Sequence, residues 1–273
     1  ELFLYYMQVT KHISSAQNPL IKKVLVLKEK SRERKKTGLF VLEGLRELQI
    51  AIGAGYFIES VLFCEDIIEN SNLLPTFNAD QLISVSADVY KKLAYRDTTE
   101  GVIAIAKSKD HQLSSLEFNT KNPLILIAEA PEKPGNIGAL LRTADAANLD
   151  AVLIANPKTD LYNPNIIRSS VGCVFSRNVK TGSTSEIISY LKKEGFQVFC
   201  AALTASKDYS TVSFTEPSAI VVGTEHSGLS NEWLQNSTQN IIIPMEGEID
   251  SMNVSVSAAI LIFEAKRQRK LNT

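Results

Sequence analysis

Apolar positions along the chain fall into two patterns that predict different elements. Between Pro19 and Ala106, spacings of three and four alternate with short continuous apolar runs. They predict helices at Pro19 to Lys30, Glu43 to Ala54 and around Asp88 to Tyr95, with strands at Leu39 to Leu42, Ile58 to Cys64, Leu82 to Val85 and Val102 to Ala106. This is a small mixed α/β unit. The polar stretch Lys107 to Asn122 has no apolar period and reads as a linker. Five apolar runs follow, at Leu124 to Ala128, Ala151 to Ala155, Gln197 to Ala202, Ala219 to Gly223 and Asn240 to Pro244, with helical patterns in most gaps. Buried strands alternating with helices predict a parallel sheet covered on both faces. The expected domains are therefore residues 7–106, a linker at 107–122, and an α/β domain over 123–273.

Composition narrows the class. With 273 residues and 44% apolar content, the chain has material for a real core. No apolar run reaches the length of about eighteen that a membrane helix needs, and the start lacks the pattern of a signal peptide, so a cytoplasmic protein is expected. Glu1 to Tyr6, ahead of Met7, read as an expression remnant or an upstream read-through, and Met7 as the natural start. Cys64, Cys173 and Cys200 are far apart, with no CxxC pair and no nearby histidine, which supports neither a disulfide framework nor a metal site. Buried filler is the expectation for all three. A net charge of −1 gives no global attraction for nucleic acid, so any such affinity needs a local basic patch.

Three strand-to-helix loops are candidates for chemistry. In Pro131 to Ala147, Asn136 suits a helix N-cap, and Ile137, Leu140, Leu141, Ala144 and Ala147 form one apolar stripe. Arg142 then falls on the polar side, either paired with Asp145 or free to act. In Val221 to Ser230, Gly223 and Gly228 allow close backbone approach to a ligand, and Glu225 sits where open α/β sheets bind ligands; a plain turn with a solvated Glu225 reads equally well. His226 receives no role. In Ile241 to Ile260, Ser251 or Asn253 can cap a helix whose positive end suits Glu246, Glu248 and Asp250. That helix, Val254 to Phe263, is apolar nearly all round, which predicts burial on every side, inside one large domain or at a subunit interface.

In this order and spacing the three segments resemble the motifs of the SpoU branch of the SPOUT methyltransferases. Asn136, Gly138 and Arg142 match N-x-G-x-x-x-R; Gly223, Glu225 and Gly228 match G-x-E-x-x-G; Ile243, Gly247, Ser251, Met252 and Asn253 match I-P-M-x-G…S-[LM]-N-V-S, with Met252 where leucine is commoner. The resemblance spans Leu124 to Arg267. Ahead of it, Ser15-x-x-Asn18-Pro19-x-Ile21-Lys22 and Gly38-x-Phe40-x-x-Glu43-Gly44 look like the L30e-like α/β substrate-binding domain of many such enzymes. The resemblance implies a trefoil knot, a homodimer, S-adenosylmethionine as cofactor and transfer of its methyl group to a ribose 2′-hydroxyl in RNA, more in keeping with rRNA than tRNA. By position it implies cofactor contacts from Leu203, Thr204, Gly223, Glu225, Gly228, Ile243, Met245, Met252 and Asn253. It assigns the chemistry to Arg142, Asn136, Glu225, Ser251 and Asn253, with Asn253 at the reaction centre.

A ribose hydroxyl is barely ionised near neutral pH, so such a site must align it and help remove its proton. Arg142 is the family's proposed base or phosphate-orienting group. Because guanidinium keeps its proton to a pKa above about 12, alignment and alkoxide stabilisation are the favoured roles. RNA affinity is expected from Lys22, Lys23, Arg32, Arg34, Lys35 and Lys36, with help from the basic tail Lys266 to Lys270; the bland alternative is a solvated charged helix. No G-x-G-x-x-G string supports a Rossmann methyltransferase. Cys200, in an apolar run, is a poor nucleophile for methylation at pyrimidine carbon. The alternative from another class is an RNA-binding protein that keeps the fold without turnover.

Overall fold

The computed structural model describes residues 9, 11–69, 74, 76–77, 79–95, 100–176, 178–204, 206–224 and 226–271. Met7 and the stretch ahead of it lie outside these. The chain divides into two compact units, Glu1–Lys109 with Asp160–Ser176, and Asp110–Thr159 with Arg177–Thr273. The first contains β1 (Lys11–Ile13), α1 (Pro19–Glu29), α2 (Ser31–Thr37), β2 (Leu39–Glu43), α3 (Leu45–Gly53), β3 (Ile58–Phe63), β4 (Gln81–Val85), α4 (Ala87–Leu93) and β5 (Val102–Lys107). The second opens with β6 (Leu124–Glu129), α5 (Pro134–Ala146) and β7 (Ala151–Ala155). The chain then contributes α6 (Pro164–Ser169) and α7 (Cys173–Ser176) to the first unit. The second unit resumes with β8 (Val179–Gly182), α8 (Thr184–Lys193), β9 (Gln197–Ala201), β10 (Lys207–Asp208), β11 (Ser218–Val222), α9 (Asn231–Asn236), β12 (Gln239–Ile242) and α10 (Val254–Leu271).

In the first unit the strands form a mixed sheet in the order β1-β4-β3-β5-β2. Helix α1 begins where Asn18 accepts from the Leu20 N–H at 2.9 Å and Pro19 supplies the preset φ of a first helical residue. Its buried stripe, Ile21, Val24 and Leu27, joins Val41, Leu62, Ile83, Ile103 and Ile105 in the core. Two elements have no apolar pattern to announce them. Strand β1 is three residues long and exists through its parallel pairing with β4. Helix α2, SRERKKT, is polar throughout and buries one residue, Arg34.

That burial corrects one expected RNA contact. Arg34 is 5% exposed. Its guanidinium donates to both carboxylate oxygens of Asp160, at 3.1 and 2.6 Å, and to the Leu27 and Lys28 carbonyls at 2.7 and 3.0 Å. With every face of the fork occupied, Arg34 has nothing to offer a phosphate. The same contact explains why Asp160–Ser176, expected within the 123–273 domain, packs with the first unit. Tyr162 stacks on Phe40 with centroids 4.3 Å apart, and Phe175 lies 5.0 Å from Tyr56. Of the other expected RNA contacts, Lys22, Arg32, Lys35 and Lys36 are exposed, and half-buried Lys23 pairs with Glu59 at 2.7 Å.

The second unit is built on a parallel sheet in the order β10-β12-β9-β11-β6-β7-β8. Strands β6, β7 and β11 are buried along their whole length, as expected of a sheet covered on both faces. Ile125, Ile127, Leu153 and Val221 pack with Ile187 and Leu191 of α8 and Trp233 of α9, while α5 packs on β7 and α10 on β11. Within this one chain, helix α10 is buried on one face, so of the two expected settings burial inside one domain does not hold. It buries Ala258, Leu261, Ile262 and Ala265, and leaves Val256 47% and Phe263 51% exposed. In the basic tail, three cations have partners within the chain, and Arg267 and Lys270 remain exposed. Arg269 donates to the Phe214 and Glu216 carbonyls at 2.8 and 2.7 Å and to those of Asn122 and Pro123, Lys266 reaches the Asn148 carbonyl at 3.3 Å, and Arg267 pairs with Glu264 at 2.7 Å.

Removing Arg34 leaves Asp160 buried with its partner gone, a loss in the range of about 3–5 kcal/mol for such pairs. Denaturant unfolding should therefore show Arg34→Ala destabilised by about 3 kcal/mol and Lys35→Ala by less than about 0.5 kcal/mol. Equal, small effects would contradict the structural role of Arg34.

Candidate functional site

In a parallel sheet all strands end on one edge, and the loops that leave that edge share one crevice. Here the loops after β9, β11 and β12, with the first turns of α10, enclose a cavity of about 590 Å³. Its lining includes Leu203, Thr204, Gly223, Gly228, Ile243, Met245 and Met252, all expected as cofactor contacts, and Ser251. Glu225 lies outside the described residues. His226, assigned no role from sequence, is also on the wall.

Two glycines shape the loop after β11 in different ways. A Cβ on Gly223 would lie 2.2 Å from the carbonyl carbon of Gly228, and 2.6 Å from the Leu229 nitrogen. The direction a Cβ would take at Gly223 is thus filled by its own chain, while the residue itself stays on the cavity wall. Gly228 has φ +65, a conformation that penalises a side chain, although nothing lies near enough to clash. Between them Thr224 and Gly228 exchange two backbone hydrogen bonds, at 3.0 and 3.1 Å. The Thr224 hydroxyl accepts from the Ser227 N–H at 3.0 Å, so the loop is hydrogen-bonded within itself.

The first and third motifs meet at two asparagines. Asn253 accepts from the Ser255 N–H at 2.9 Å and hydroxyl at 2.6 Å, and so caps α10. Its Nδ2 donates to Asn136 Oδ1 at 3.2 Å across 117 residues of chain. Ser251 does not cap: its hydroxyl donates to Asp250 at 3.1 Å. Asn136 is not an N-cap either. Helix α5 starts at Pro134 with Lys133 at the cap, which places Asn136 in the first turn, where its side chain reaches Asn253. The apolar stripe of α5 is buried as expected, and Arg142 is exposed, with no hydrogen bond or ion pair to a described residue. Pairing with Asp145 is therefore not what holds it.

Several lining residues were not anticipated. Ser257 and Leu261, one turn apart on α10, both face the cavity. The buried Glu129 at the end of β6 gave no signal beyond a polar stop after an apolar run. Cys200 is buried, as expected. Burial, with the charge of Glu129 second, pushes its thiol up to about 12, and Cys64 and Cys173 are likewise buried. Among the described residues, no group of three or more His, Cys, Asp and Glu could hold a metal ion, and no helix is long and apolar enough to cross a membrane.

Residues 123–263 match the SpoU rRNA Methylase family, and residues 18–104 match the MRM3-like substrate binding domain. The chain belongs to the SpoU rRNA methylase family. It is 29% identical over 256 residues to the 23S rRNA (guanosine(2553)-2′-O)-methyltransferase RlmP of Bacillus subtilis, covering 94% of this chain and 99% of that one. A crystal structure of an RNA 2′-O ribose methyltransferase is 39% identical, with a TM-score of 0.83 over 95% of this chain and 99% of the other. The AdoMet-bound rRNA methyltransferase from Sinorhizobium meliloti is 25% identical, with a TM-score of 0.85 over 94% and 97% of the two chains. The fold expectation, an α/β SPOUT domain with a parallel sheet behind a smaller α/β domain, holds.

The two glycines make a paired prediction. Gly223→Ala forces backbone apart and should lower the melting temperature by more than Gly228→Ala, whose cost is the left-handed φ alone, about 1–2 kcal/mol or roughly 2–8 °C. Scanning fluorimetry that found the order reversed would contradict the packed contact at Gly223.

Proposed function

We propose that this chain transfers the methyl group of S-adenosylmethionine to a ribose 2′-hydroxyl in structured RNA. The observation that carries the reading is a single one: the cavity at the sheet edge gathers most of the expected cofactor residues, Asn253 not being on its wall, and the Asn253 to Asn136 hydrogen bond ties that cavity's loop to the helix bearing Arg142. The residues fit the cofactor. About 590 Å³ lies within the size range of small-molecule sites, about 300–1,000 Å³. Ile243, Met245, Met252 and Leu261 offer apolar walls for a nucleoside, while Thr204, Thr224 and Ser227 offer hydroxyls. When bound, S-adenosylmethionine supplies a methyl group activated on a sulfonium sulfur.

The chain's own residues do the remainder. Asn253, held by its bonds to Ser255 and Asn136, positions the loop that borders the ribose. Arg142 extends from the exposed side of α5 to grip the target phosphate and stabilise the developing alkoxide with its two-pronged donor face. Glu225 and Ser251 support the loops, and Lys22, Arg32, Lys35 and Lys36 supply phosphate contacts on the first unit. Ribosomal RNA is the favoured substrate class, because relatives aligned along nearly the whole chain are named as rRNA enzymes. A homodimer and the knotted carboxyl-terminal segment belong to the same reading. Support for the dimer comes from the outer face of α10, where Val256 and Phe263 present apolar surface on a helix whose other face is buried.

Arg142→Ala should keep the fold and cofactor affinity while lowering turnover by about a hundredfold or more, with poor rescue by Lys. An RNA carrying deoxyribose at the target nucleotide should bind and accept no methyl. Wild-type turnover in Arg142→Ala, or methylation of the deoxy substrate, would overturn the ribose chemistry. Ser257→Trp fills the cavity and should abolish binding of S-adenosylhomocysteine in calorimetry run with excess chelator. Light scattering should give the mass of two chains for the wild type, and Phe263→Glu should shift it towards one; a wild-type monomer at micromolar concentration would contradict the dimer.

A further inference from the structure

At the carboxyl end of β6 lies a buried carboxylate that the reaction does not use. Glu129 is 6% exposed, and no described Lys or Arg pairs with it. Withdrawing a carboxylate from water without a cation is costly, and the cost is offset only through strong hydrogen bonds. Glu129 makes two, to opposite sides. Oε2 accepts from the Ser230 N–H at 2.8 Å, and Oε1 accepts from the Thr184 hydroxyl at 3.2 Å, which in turn accepts from Asn156 Nδ2 at 2.9 Å. The backbone is bent to deliver it. Ala130 adopts φ +44 directly before Pro131, where a chain ordinarily stays extended.

The Ser230 contact has a specific consequence for the cavity. Gly223, Thr224, Gly228 and Leu229 line one wall, and Ser230 is the residue at which that loop ends. Its beginning is already fixed to β6, because Val222 pairs with Ala128 in the sheet. Glu129, the next residue of β6, fixes the other end. Both ends of the wall are thus tied to two consecutive residues of one buried strand, the first by sheet pairing and the second by a charge-assisted hydrogen bond spanning 101 residues of sequence.

We propose that Glu129 is a positioning residue that sets the Gly223 to Leu229 wall for the cofactor, acting through Ser230 and without touching the cofactor itself. The inference rests on the cofactor's placement in this cavity. That placement is judged by the wild type against Ser257→Trp, so the two ideas fail on different variants. Titration calorimetry of the full chain with S-adenosylhomocysteine provides the test. Glu129→Ala, or Glu129→Asp with its carboxylate one methylene short, should weaken binding about ten- to a hundredfold. Glu129→Gln, which still offers a carbonyl oxygen to the Ser230 N–H, should recover most of the affinity. Thr184→Val removes the other partner; it should lower the melting temperature comparably yet leave affinity within about twofold. In turnover, Glu129→Asp should raise KM for S-adenosylmethionine with kcat largely kept. Wild-type affinity in both Glu129→Ala and Glu129→Asp, or a loss in Thr184→Val equal to theirs, would overturn the proposal.

Discussion

Where β11 ends, the backbone of Gly223 lies against that of Gly228 so closely that even one methyl group would overlap it. The contact folds the intervening residues into a short self-bonded loop and leaves its outer side as one wall of the cavity. The parallel sheet makes this consequential. Because β9, β11 and β12 deliver their loops to the same edge, fixing the loop after β11 fixes one side of the space that Leu203, Ile243 and Met252 also line. Asn253 then links that space to α5 through Asn136, which brings the polar side of α5 into register with the cavity loop.

The cations divide by what surrounds them. Arg34 and Arg269 each make four hydrogen bonds to carboxylate or carbonyl oxygens, so their charges serve to close the chain on itself. Burial lowers the pKa of Arg269, a sign that its charge has left water for the carbonyls of neighbouring loops. Arg142 is the opposite case, exposed on a helix whose other face is buried, with its donors open. A near-zero net charge is compatible with this division, since what matters for a polyanion is which cations remain available on the surface.

Much of the second unit was legible in the sequence because its strands are continuous apolar runs, and such runs in alternation with helices admit few arrangements. Leu124–Glu129 and Ala151–Ala155 fall within a residue of the expected limits. Part of the site was legible through motif resemblance, which grouped residues of the second and third motifs that the fold places around one cavity. What stayed hidden depends on long-range partners. Helix α2 has no apolar stripe and is held by Arg34 reaching Asp160 across 126 residues, a pairing no local pattern encodes. For the same reason Arg34 looked like one more surface cation in a basic cluster, and Asp160–Ser176 like part of the second domain. Asn136 looked like a cap because it follows Pro and Gly, yet the helix begins at that Pro.

The central claim is that this chain, through the cavity and Arg142, methylates a ribose oxygen. Nucleoside mass spectrometry tests it most directly: RNA from cells lacking the gene is incubated with the purified chain and isotopically labelled S-adenosylmethionine, then digested to nucleosides. The account predicts label in one 2′-O-methylnucleoside, with the methyl group retained on the ribose fragment. Label on a base fragment, or no label in any RNA offered, would contradict it.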